Sequence, residues 1–297
     1  MDMKPPHIAL EPMGVPTPRR STRFIGEILV EAGYLDAEAS ERIAQAQRQN
    51  GLSFGDAAVK LKLLSRADIE FALAQQFEYP YLHATNESVS PSVVLAFRPS
   101  DPFAEQMRSL RTQLVMQRAA NTSVPSSFAI LSAQSGEGRS MVAANLAVAF
   151  SQMGERTLLI DADMRSASQH KLFNLSSRNG LSNMLLGRAG PECISKVPHF
   201  FDLSVLTAGS VPPNPQELLT RARMTTILAE AAKTFDVVVL DTPPAAEFAD
   251  AQIIASRTGG GVLVTRAAKT NARVLNRVLT AFKDCGTNLV GTVLNLA

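Results

Sequence analysis

A glycine-containing loop between an apolar run and a helical stretch has the residue types needed to bind phosphate. Residues 133–140 read Ala-Gln-Ser-Gly-Glu-Gly-Arg-Ser, the Walker A pattern with alanine for its first glycine and arginine for its lysine. Gly136 and Gly138 allow backbone N–H groups to turn inward around a phosphate, and the N-terminus of the following helix adds a positive dipole end. The Ser140 hydroxyl is a suitable Mg²⁺ ligand, and Arg139 would keep a positive charge beside the phosphates. The alternative is a solvated Arg139 in an ordinary tight turn.

Three carboxylates follow predicted strands and could serve the same site. Asp161 and Asp163 lie one residue apart after an apolar run, and Asp241 follows the run 237–240. Because the carboxyl ends of parallel strands meet at one edge of a sheet, we expect these side chains beside the phosphate loop. There they could hold Mg²⁺ through water and accept a proton from an attacking hydroxyl. The alternative is that Asp161 only caps its loop and that Arg165 pairs with a carboxylate.

The elements that must position these residues are strands and helices in alternation. The predicted strands cover residues 128–131, 157–160, 203–206, 237–240, 261–264 and 289–294. Helical stretches are predicted at 102–118, 141–153, 216–233, 249–257 and 271–285. This alternation predicts an α/β fold, a P-loop NTPase with a mostly parallel sheet flanked by helices.

The N-terminal part of the chain contains a short repeat that predicts a small, mainly helical domain. The stretch 26–35 is echoed by 55–64, and each begins with a glycine followed by apolar residues. A polar start follows in each copy, at Asp36 and at Ser65 with Asp68 three residues on, and it predicts the cap of a second helix.

Changes in composition divide the chain into four parts. Residues 1–20 are rich in proline and are expected to form a disordered leader. The helical repeat domain is placed at 21–84 and a Ser- and Pro-rich linker at 85–100. Residues 101–297 form the predicted P-loop domain.

The overall composition excludes several classes of protein. With 29 Lys and Arg against 27 Asp and Glu, a net charge of +2 gives no general basic field for nucleic acid. The two cysteines, Cys193 and Cys285, stand far apart and support neither a disulfide framework nor a zinc site. No apolar run approaches the roughly 20 residues of a membrane-spanning helix, and no secretory signal is evident. We therefore expect a cytoplasmic protein.

These motifs resemble those of the bacterial tyrosine kinases, a P-loop family that regulates polysaccharide export. The resemblance rests on 133–140 as Walker A, 161–165 as Walker A′, Asp241 at the end of Walker B, and on the segments 209–219 and 290–295. With its Gly-Glu-Gly-Arg-Ser loop and N-terminal repeat, the chain is most similar to the chain-length-determinant tyrosine kinases of exopolysaccharide operons, from about residue 23 to its end.

The resemblance implies a set of site residues. It implies that the phosphate loop and the start of its helix bind ATP, through Gly136, Glu137, Gly138, Arg139, Ser140 and Met141. It implies that Mg²⁺ lies among one hydroxyl and three carboxylates, Ser140, Asp161, Asp163 and Asp241. Asp161 would be the proton acceptor, and Asp163 and Arg139 would complete the catalytic set.

The resemblance also implies partners. The pattern Glu105-x-x-Arg108-x-x-Arg111 resembles the family's oligomerisation motif. Spacings of three place these residues along one face of the predicted helix, where they could pair with a neighbouring subunit. The alternative is an exposed charged face. The subgroup works with a separate transmembrane chain-length regulator, which would place this chain at the periphery of the inner membrane.

One departure from the family keeps several functions open. Family members usually phosphorylate a tyrosine-rich C-terminal tail of the adjacent subunit, whereas this sequence has three tyrosines, Tyr34, Tyr79 and Tyr81. The acceptor would then lie on the membrane partner or at residues 79–81. The simpler interpretation of these tyrosines, which we prefer, is packing with Phe77. The alternatives to a kinase are a non-catalytic ATP-binding scaffold that gates the regulator, and a ParA/MinD-type positioning ATPase. That last group normally has a lysine where this sequence has Gln134.

The N-terminal repeat resembles the module at the front of type II secretion ATPases, some of which bind cyclic di-GMP. Those binders need an Arg-Leu-Gly opening, where this chain has Phe24-Ile25-Gly26 and Ser53-Phe54-Gly55. Lys62 also replaces the later glycine of the second copy. We therefore expect a packing or adaptor domain rather than a cyclic di-GMP sensor.

Overall fold

Residues 24–77, 79–120 and 126–296 are described by the structure, a computed structural model. They divide into two units. The smaller unit comprises the described residues up to Asn86, together with Ala96–Arg98. The larger unit comprises Glu87–Leu95 and the described residues from Pro99 onward. The leader predicted at 1–20 lies outside the described residues.

The smaller unit is helical, as the repeat predicts. Asp36 caps one helix by accepting a hydrogen bond from Ala39 N at 2.6 Å, and Ser65 and Asp68 form the predicted capping box of another. The helices are α1 (Ile25–Glu31), α2 (Ala37–Asn50), α3 (Phe54–Lys60) and α4 (Arg66–Gln76). Apolar residues from both copies share one core, which comprises Ile28, Leu29, Leu35, Ile43, Ala57, Ala58, Leu64, Ile69 and Ala72.

Lys62 stands at the turn where the first copy has Gly33. Both residues have a left-handed backbone, with φ of +57° at Lys62 and +77° at Gly33. A residue with a Cβ pays roughly 1–2 kcal/mol for this conformation. Glycine loses more chain entropy on folding, so the net gain is smaller. We expect Lys62→Gly to stabilise the smaller unit by about 0.5–1 kcal/mol.

Tyrosine fluorescence during urea unfolding can measure this change in the full chain. All three tyrosines lie in the smaller unit and the sequence has no tryptophan, so the signal reports on that unit. The matched variant Lys60→Gly, in the last turn of α3, should destabilise it by up to about 1 kcal/mol. A Lys62→Gly midpoint at or below that of the unaltered chain would contradict the assignment of strain to Lys62.

From residue 94 onward, the predicted strands and helices are present, together with short helices and one short strand that were not predicted. The helices are α5 (Val94–Phe97), α6 (Pro102–Ala120), α7 (Arg139–Ser151), α8 (Gln169–Leu172), α9 (Leu181–Leu186), α10 (Pro215–Thr220), α11 (Ala222–Thr234), α12 (Asp250–Ala255) and α13 (Ala272–Asp284). The strands are β1 (Ser127–Ser132), β2 (Thr157–Asp161), β3 (Ile194–Val197), β4 (Phe200–Leu206), β5 (Val237–Asp241), β6 (Gly260–Arg266) and β7 (Leu289–Asn295). Within the described ranges, no helix is both long and apolar enough to cross a bilayer.

The described strands form one sheet in the order β3-β4-β2-β5-β1-β6-β7. The pairs are parallel except β3 with β4, so the sheet is mostly parallel as predicted. The sequence pattern does not predict β3, because Ser195 and Lys196 interrupt its apolar character. The single helix predicted at 216–233 is instead two helices, α10 and α11, since the backbone is extended at Arg221 between them.

The segment predicted as a linker at 85–100 is packed over much of its length. Val89, Val93 and Leu95 are buried in the structure. Asn145 Oδ1 on α7 accepts a hydrogen bond from Leu95 N at 3.1 Å, and Gln152 Nε2 donates one to Leu95 O at 3.0 Å. Residues 87–95 therefore belong to the larger unit rather than to an open connection.

The centre of the sheet brings the predicted site segments together. β2, β5 and β1 are neighbours, and Asp161 pairs directly with Asp241 in the β2–β5 register. The phosphate loop follows the last residue of β1, Ser132, and leads into α7, which is buried almost throughout. All three segments thus meet at the carboxyl edge of the sheet, where such folds bind ligands.

Candidate functional site

The phosphate loop has the backbone shape that the sequence predicts. Gly136 and Gly138 have φ of +73° and +93°, in the left-handed region that favours glycine, and Gly138 is the N-cap of α7. A Cβ at Gly138 would lie 2.5 Å from Asn295 Nδ2, and one at Gly136 would collide with Lys269 Nζ. Any larger residue would therefore strain the loop.

The buried side chain of Glu137 stabilises this loop through hydrogen bonds. Its carboxylate accepts hydrogen bonds from Gln134 N, at 2.8 Å, and from Thr270 Oγ1. Arg266 Nη1 donates to Gly136 O at 3.1 Å from the same turn as Thr270. The Glu137 carboxylate thus supports the loop, so that only its backbone remains for the predicted contact with ATP.

Arg139 points inward, so the solvated alternative is wrong. Only 8% of the residue is exposed. Its Nη1 donates to Ser132 Oγ at 2.7 Å, its Nη2 donates to Asp163 Oδ2 at 3.2 Å, and its Nε lies 3.4 Å from Asp241 Oδ1. The guanidinium is therefore the counter-cation of two of the predicted metal ligands.

The loop after β2 fixes both Walker A′ carboxylates through backbone N–H groups. Asp161 Oδ2 accepts from Ser168 N at 3.0 Å and from Gln169 N at 2.9 Å. Asp163 Oδ1 accepts from Ser166 N at 2.9 Å, while its other oxygen faces Arg139. Asp161 does cap its loop, as the simpler alternative holds, but its Oδ1 is buried without a hydrogen-bond partner among the described residues.

Two of the buried carboxyls have altered acidity. Burial raises the pKa of Asp161 to about 8, and the neighbouring Asp241 charge adds to this. Burial also raises the pKa of Asp241, although Arg139 and hydrogen bonds from Gln169 and Ser140 oppose the change. Titratable groups with perturbed pKa values at a strand edge are typical of functional sites.

Gln169, at the start of α8, is a site residue that sequence reasoning missed. Its side chain is fully buried, and Nε2 donates to Asp241 Oδ2 at 2.8 Å and to Ser140 O at 3.0 Å. Gln169 Oε1 has no hydrogen-bond partner in the described part of the chain. No motif marks a glutamine in a four-residue helix, so the sequence carries no signal that could have found it.

The donor atoms of the site fit Mg²⁺. Asp161 Oδ1, Asp241 Oδ1 and Gln169 Oε1 are buried oxygen atoms that accept no hydrogen bond from the residues described, and oxygen is the ligand that Mg²⁺ prefers. Asp241 Oδ1 also faces Arg139 Nε in an ion pair at 3.4 Å. Across the residues that are described, no three His, Cys, Asp or Glu side chains are spaced to enclose a metal by themselves. Mg²⁺ would therefore take further ligands from phosphate and water, as is usual for this ion.

The remaining predicted residues have ordinary structural contacts. Met141 lies half-buried in the first turn of α7, where its carbonyl accepts a hydrogen bond from Asn145 Nδ2 at 2.8 Å. Arg165 pairs with a carboxylate, as the alternative suggested: its Nε lies 2.8 Å from Asp250 Oδ2, and its guanidinium lies over the Phe248 ring. This ion pair joins the Walker A′ loop to α12.

The Glu105, Arg108 and Arg111 side chains make contacts within the chain. Arg108 Nη2 lies 2.8 Å from Glu105 Oε2 and also donates to Pro99 O, and Arg111 Nη1 donates to Ala149 O at 2.9 Å. The alternative of an exposed charged face fits Glu105, whose side chain is 70% exposed. It fits the two arginines less well, because both donate hydrogen bonds to backbone carbonyls of this chain. The predicted role in oligomerisation stays a prediction.

The tyrosines lie in the smaller unit and differ in access. Tyr81 is buried, and this burial raises its pKa to about 12. Tyr34 packs edge-on against Phe71, with ring centroids 5.8 Å apart. The ring that Tyr34 and Tyr81 contact is thus Phe71 rather than the expected Phe77, which is 78% exposed. Tyr79 is half-buried.

Comparisons with known proteins find P-loop proteins, among them bacterial tyrosine kinases, in both sequence and structure. A family model described as "ParA: NUBPL iron-transfer P-loop NTPase" matches residues 123–297. Tyrosine-protein kinase YwqD of Bacillus subtilis is 38% identical over 204 residues, covering 69% of this chain and 85% of that protein. Tyrosine-protein kinase etk of Escherichia coli is 35% identical over 203 residues, which are 66% of this chain and 27% of that protein. The solved kinase domain of Escherichia coli ETK superposes with a TM-score of 0.66 at 31% identity, covering 72% of this chain and 83% of that one.

Proposed function

Because the chain belongs to the bacterial tyrosine kinases of the P-loop class, we propose that it transfers the γ-phosphoryl group of ATP to a protein tyrosine. The observation that carries this proposal is the juxtaposition of the phosphate loop with Asp161, Asp163 and Asp241 at one sheet edge. The named relatives are tyrosine kinases, and YwqD is matched over most of its length.

Each group of the site has a place in this reaction. Backbone N–H groups of the loop around Gly136 and Gly138 would bind the phosphates. Mg²⁺, when bound near Ser140 and the carboxylates, neutralises phosphate charge. Asp161 Oδ1 would accept the proton of the tyrosine hydroxyl while the phenolic oxygen bonds to the γ-phosphorus and ADP leaves. Since Oδ2 is held by two backbone N–H groups, Oδ1 is the oxygen available for that proton.

Mass spectrometry can test the kinase activity directly. The purified full chain is incubated with Mg-ATP and the cytosolic segments of its membrane partner, and phosphotyrosine is mapped on both proteins. We expect labelling that is lost when EDTA is added. Absence of phosphotyrosine on every tyrosine, with ATP binding intact by calorimetry, would overturn the kinase assignment.

One observation favours a second candidate function, an ATP-binding scaffold with little phosphotransfer. The guanidinium of Arg139 neutralises Asp163 and Asp241, the same carboxylates that a catalytic metal needs. A scaffold would bind Mg-ATP and change its assembly without labelling tyrosine. The experiment above distinguishes the two functions, because only the kinase produces phosphotyrosine.

We also propose the partners that the resemblance implies. The chain would act with a transmembrane chain-length regulator in exopolysaccharide synthesis and would be held at the inner membrane by it. Homo-oligomers would form through the helix that carries Glu105, Arg108 and Arg111. Co-purification with the regulator, and light scattering of the chain with and without Mg-ATP, test these two interactions.

A further inference from the structure

Gln169 joins three of the segments that build the nucleotide site. Its backbone N–H donates to Asp161 Oδ2 at 2.9 Å, at the end of β2. Its side-chain Nε2 donates to Asp241 Oδ2, at the end of β5, and to the Ser140 carbonyl in the first turn of α7. One residue therefore connects Asp161 and Asp241 with the phosphate-loop helix.

The orientation of the Gln169 amide follows from its partners. A backbone carbonyl such as that of Ser140 can only accept a hydrogen bond, so the atom facing it must be the NH₂ group. The amide oxygen is then turned away from Ser140. Asp241 fits the same orientation, because its carboxylate also accepts from Nε2 at 2.8 Å.

The Gln169 amide oxygen is left without a partner among the described residues, in a fully buried position. Asp161 Oδ1 and Asp241 Oδ1 likewise accept no hydrogen bond from the described residues, although Arg139 Nε forms an ion pair with Asp241 Oδ1 at 3.4 Å. Buried acceptors in native proteins are nearly always satisfied, and exceptions point to an absent ion or water. Three such oxygens on residues that contact one another suit a hydrated divalent cation, whose bound waters are strong donors.

We propose that Gln169 is a positioning residue of the metal site, which aims the Asp241 carboxylate through Nε2 and holds a water of the Mg²⁺ shell through Oε1. This inference rests on the proposed function, since it presumes a Mg-nucleotide complex. Groups that orient metal ligands in this way contribute strongly to metal affinity, and their loss typically costs 10- to 100-fold. Gln169 would act through Asp241 and water, without touching the transferred phosphoryl group.

The test measures Mg²⁺ affinity in the ADP complex of the full chain, by calorimetric or fluorescent-ADP titration. Gln169→Met keeps the length of the side chain and removes both polar atoms. We expect its apparent Kd for Mg²⁺ to rise 10- to 100-fold, with ADP affinity in EDTA changed less than threefold. The matched control is Gln152→Met, which removes another buried glutamine amide, bonded to Leu95 O at the far end of α7. It should leave Mg²⁺ affinity unchanged.

A second variant tests the position of the amide and covers the case of a poorly folded methionine variant. Gln169→Asn keeps both polar atoms but shortens the side chain by one methylene, which withdraws the amide from Asp241 Oδ2 and Ser140 O, so its apparent Kd for Mg²⁺ should also rise about tenfold or more. Unaltered Mg²⁺ affinity in either variant, once circular dichroism shows that it is folded, would overturn the proposal. If the unaltered chain itself binds ADP without any effect of Mg²⁺, the proposed function fails instead.

Discussion

A chain in which Asp161 is replaced by asparagine should form phosphotyrosine about 10²- to 10⁴-fold more slowly, the range that general-base groups usually contribute. Asparagine keeps the size of the side chain, and its amide oxygen can still accept from Ser168 N and Gln169 N. It cannot take a proton at the position of Oδ1. We therefore expect ADP binding to persist while phosphotransfer is lost.

The pH dependence of the unaltered chain provides a second measurement of the same role. Burial and the Asp241 charge raise the pKa of Asp161 to about 8, so without metal the carboxyl is mostly protonated at neutral pH. A bound cation stabilises the carboxylate and lowers this pKa. Because a base acts only when deprotonated, the rate should rise with pH, with an apparent pKa below 8.

The control for Asp161 is Asp236, a carboxylate next to the opposite end of β5. Asp236 pairs with Arg156 at 2.6 Å, outside the nucleotide site. Asp236→Asn should leave phosphotransfer within about twofold of the unaltered chain. An Asp161→Asn chain that retained more than a third of the original rate would contradict the assignment of Asp161 as the proton acceptor.

Replacing Arg139 with methionine should lower the stability of the larger unit by about 3–5 kcal/mol in EDTA, the usual cost of leaving buried charges unpaired. The variant removes the cation beside Asp163 and Asp241, whose side chains are 3% and 0% exposed. For a unit of this size the loss corresponds to a midpoint lower by roughly 6–20 °C. Circular dichroism can follow it, since the tyrosines report on the smaller unit only.

Mg²⁺ and a lysine variant separate charge from packing in this experiment. If charge is responsible, Mg²⁺ should restore part of the lost stability, because the proposed metal site uses the same carboxylates. Arg139→Lys keeps a cation and should lose less than half as much as Arg139→Met. Equal midpoints for the methionine variant and the unaltered chain in EDTA would show that the ion pairs carry no net stability.

The sequence predicted those parts of the fold whose signals are local. Strands buried in a parallel sheet appear as continuous apolar runs, which is why β2 and β5 were predicted to within one residue. The short β3 was not predicted, because an antiparallel strand at the sheet edge carries Ser195 and Lys196. Nor did the Ser- and Pro-rich composition of 85–100 reveal that Val89 and Val93 are buried.

The sequence indicates where the motifs of the candidate site lie, but it does not predict contacts between distant segments. The phosphate loop and the strand-end aspartates have local signals, because strand ends and glycine turns determine where such residues lie, and their functional roles stay predictions. The inward direction of Arg139 depends on Asp163, Asp241 and Ser132, which no spacing rule connects to it. Gln169 was missed for the same reason, since its partners lie 29 and 72 residues away.

The packing of residues 87–95 determines where a fragment that contains only the larger unit should begin. A fragment starting at Pro102 would lack Val89, Val93 and Leu95 and expose the apolar surface that they cover. The side-chain amide of Asn145 would also lose its hydrogen bonds with Leu95 N and Ser92 O. Asn145 lies six residues after the start of α7, the helix that follows the phosphate loop. Truncation at Glu87 preserves both, so the shorter fragment should aggregate where the longer one stays in solution.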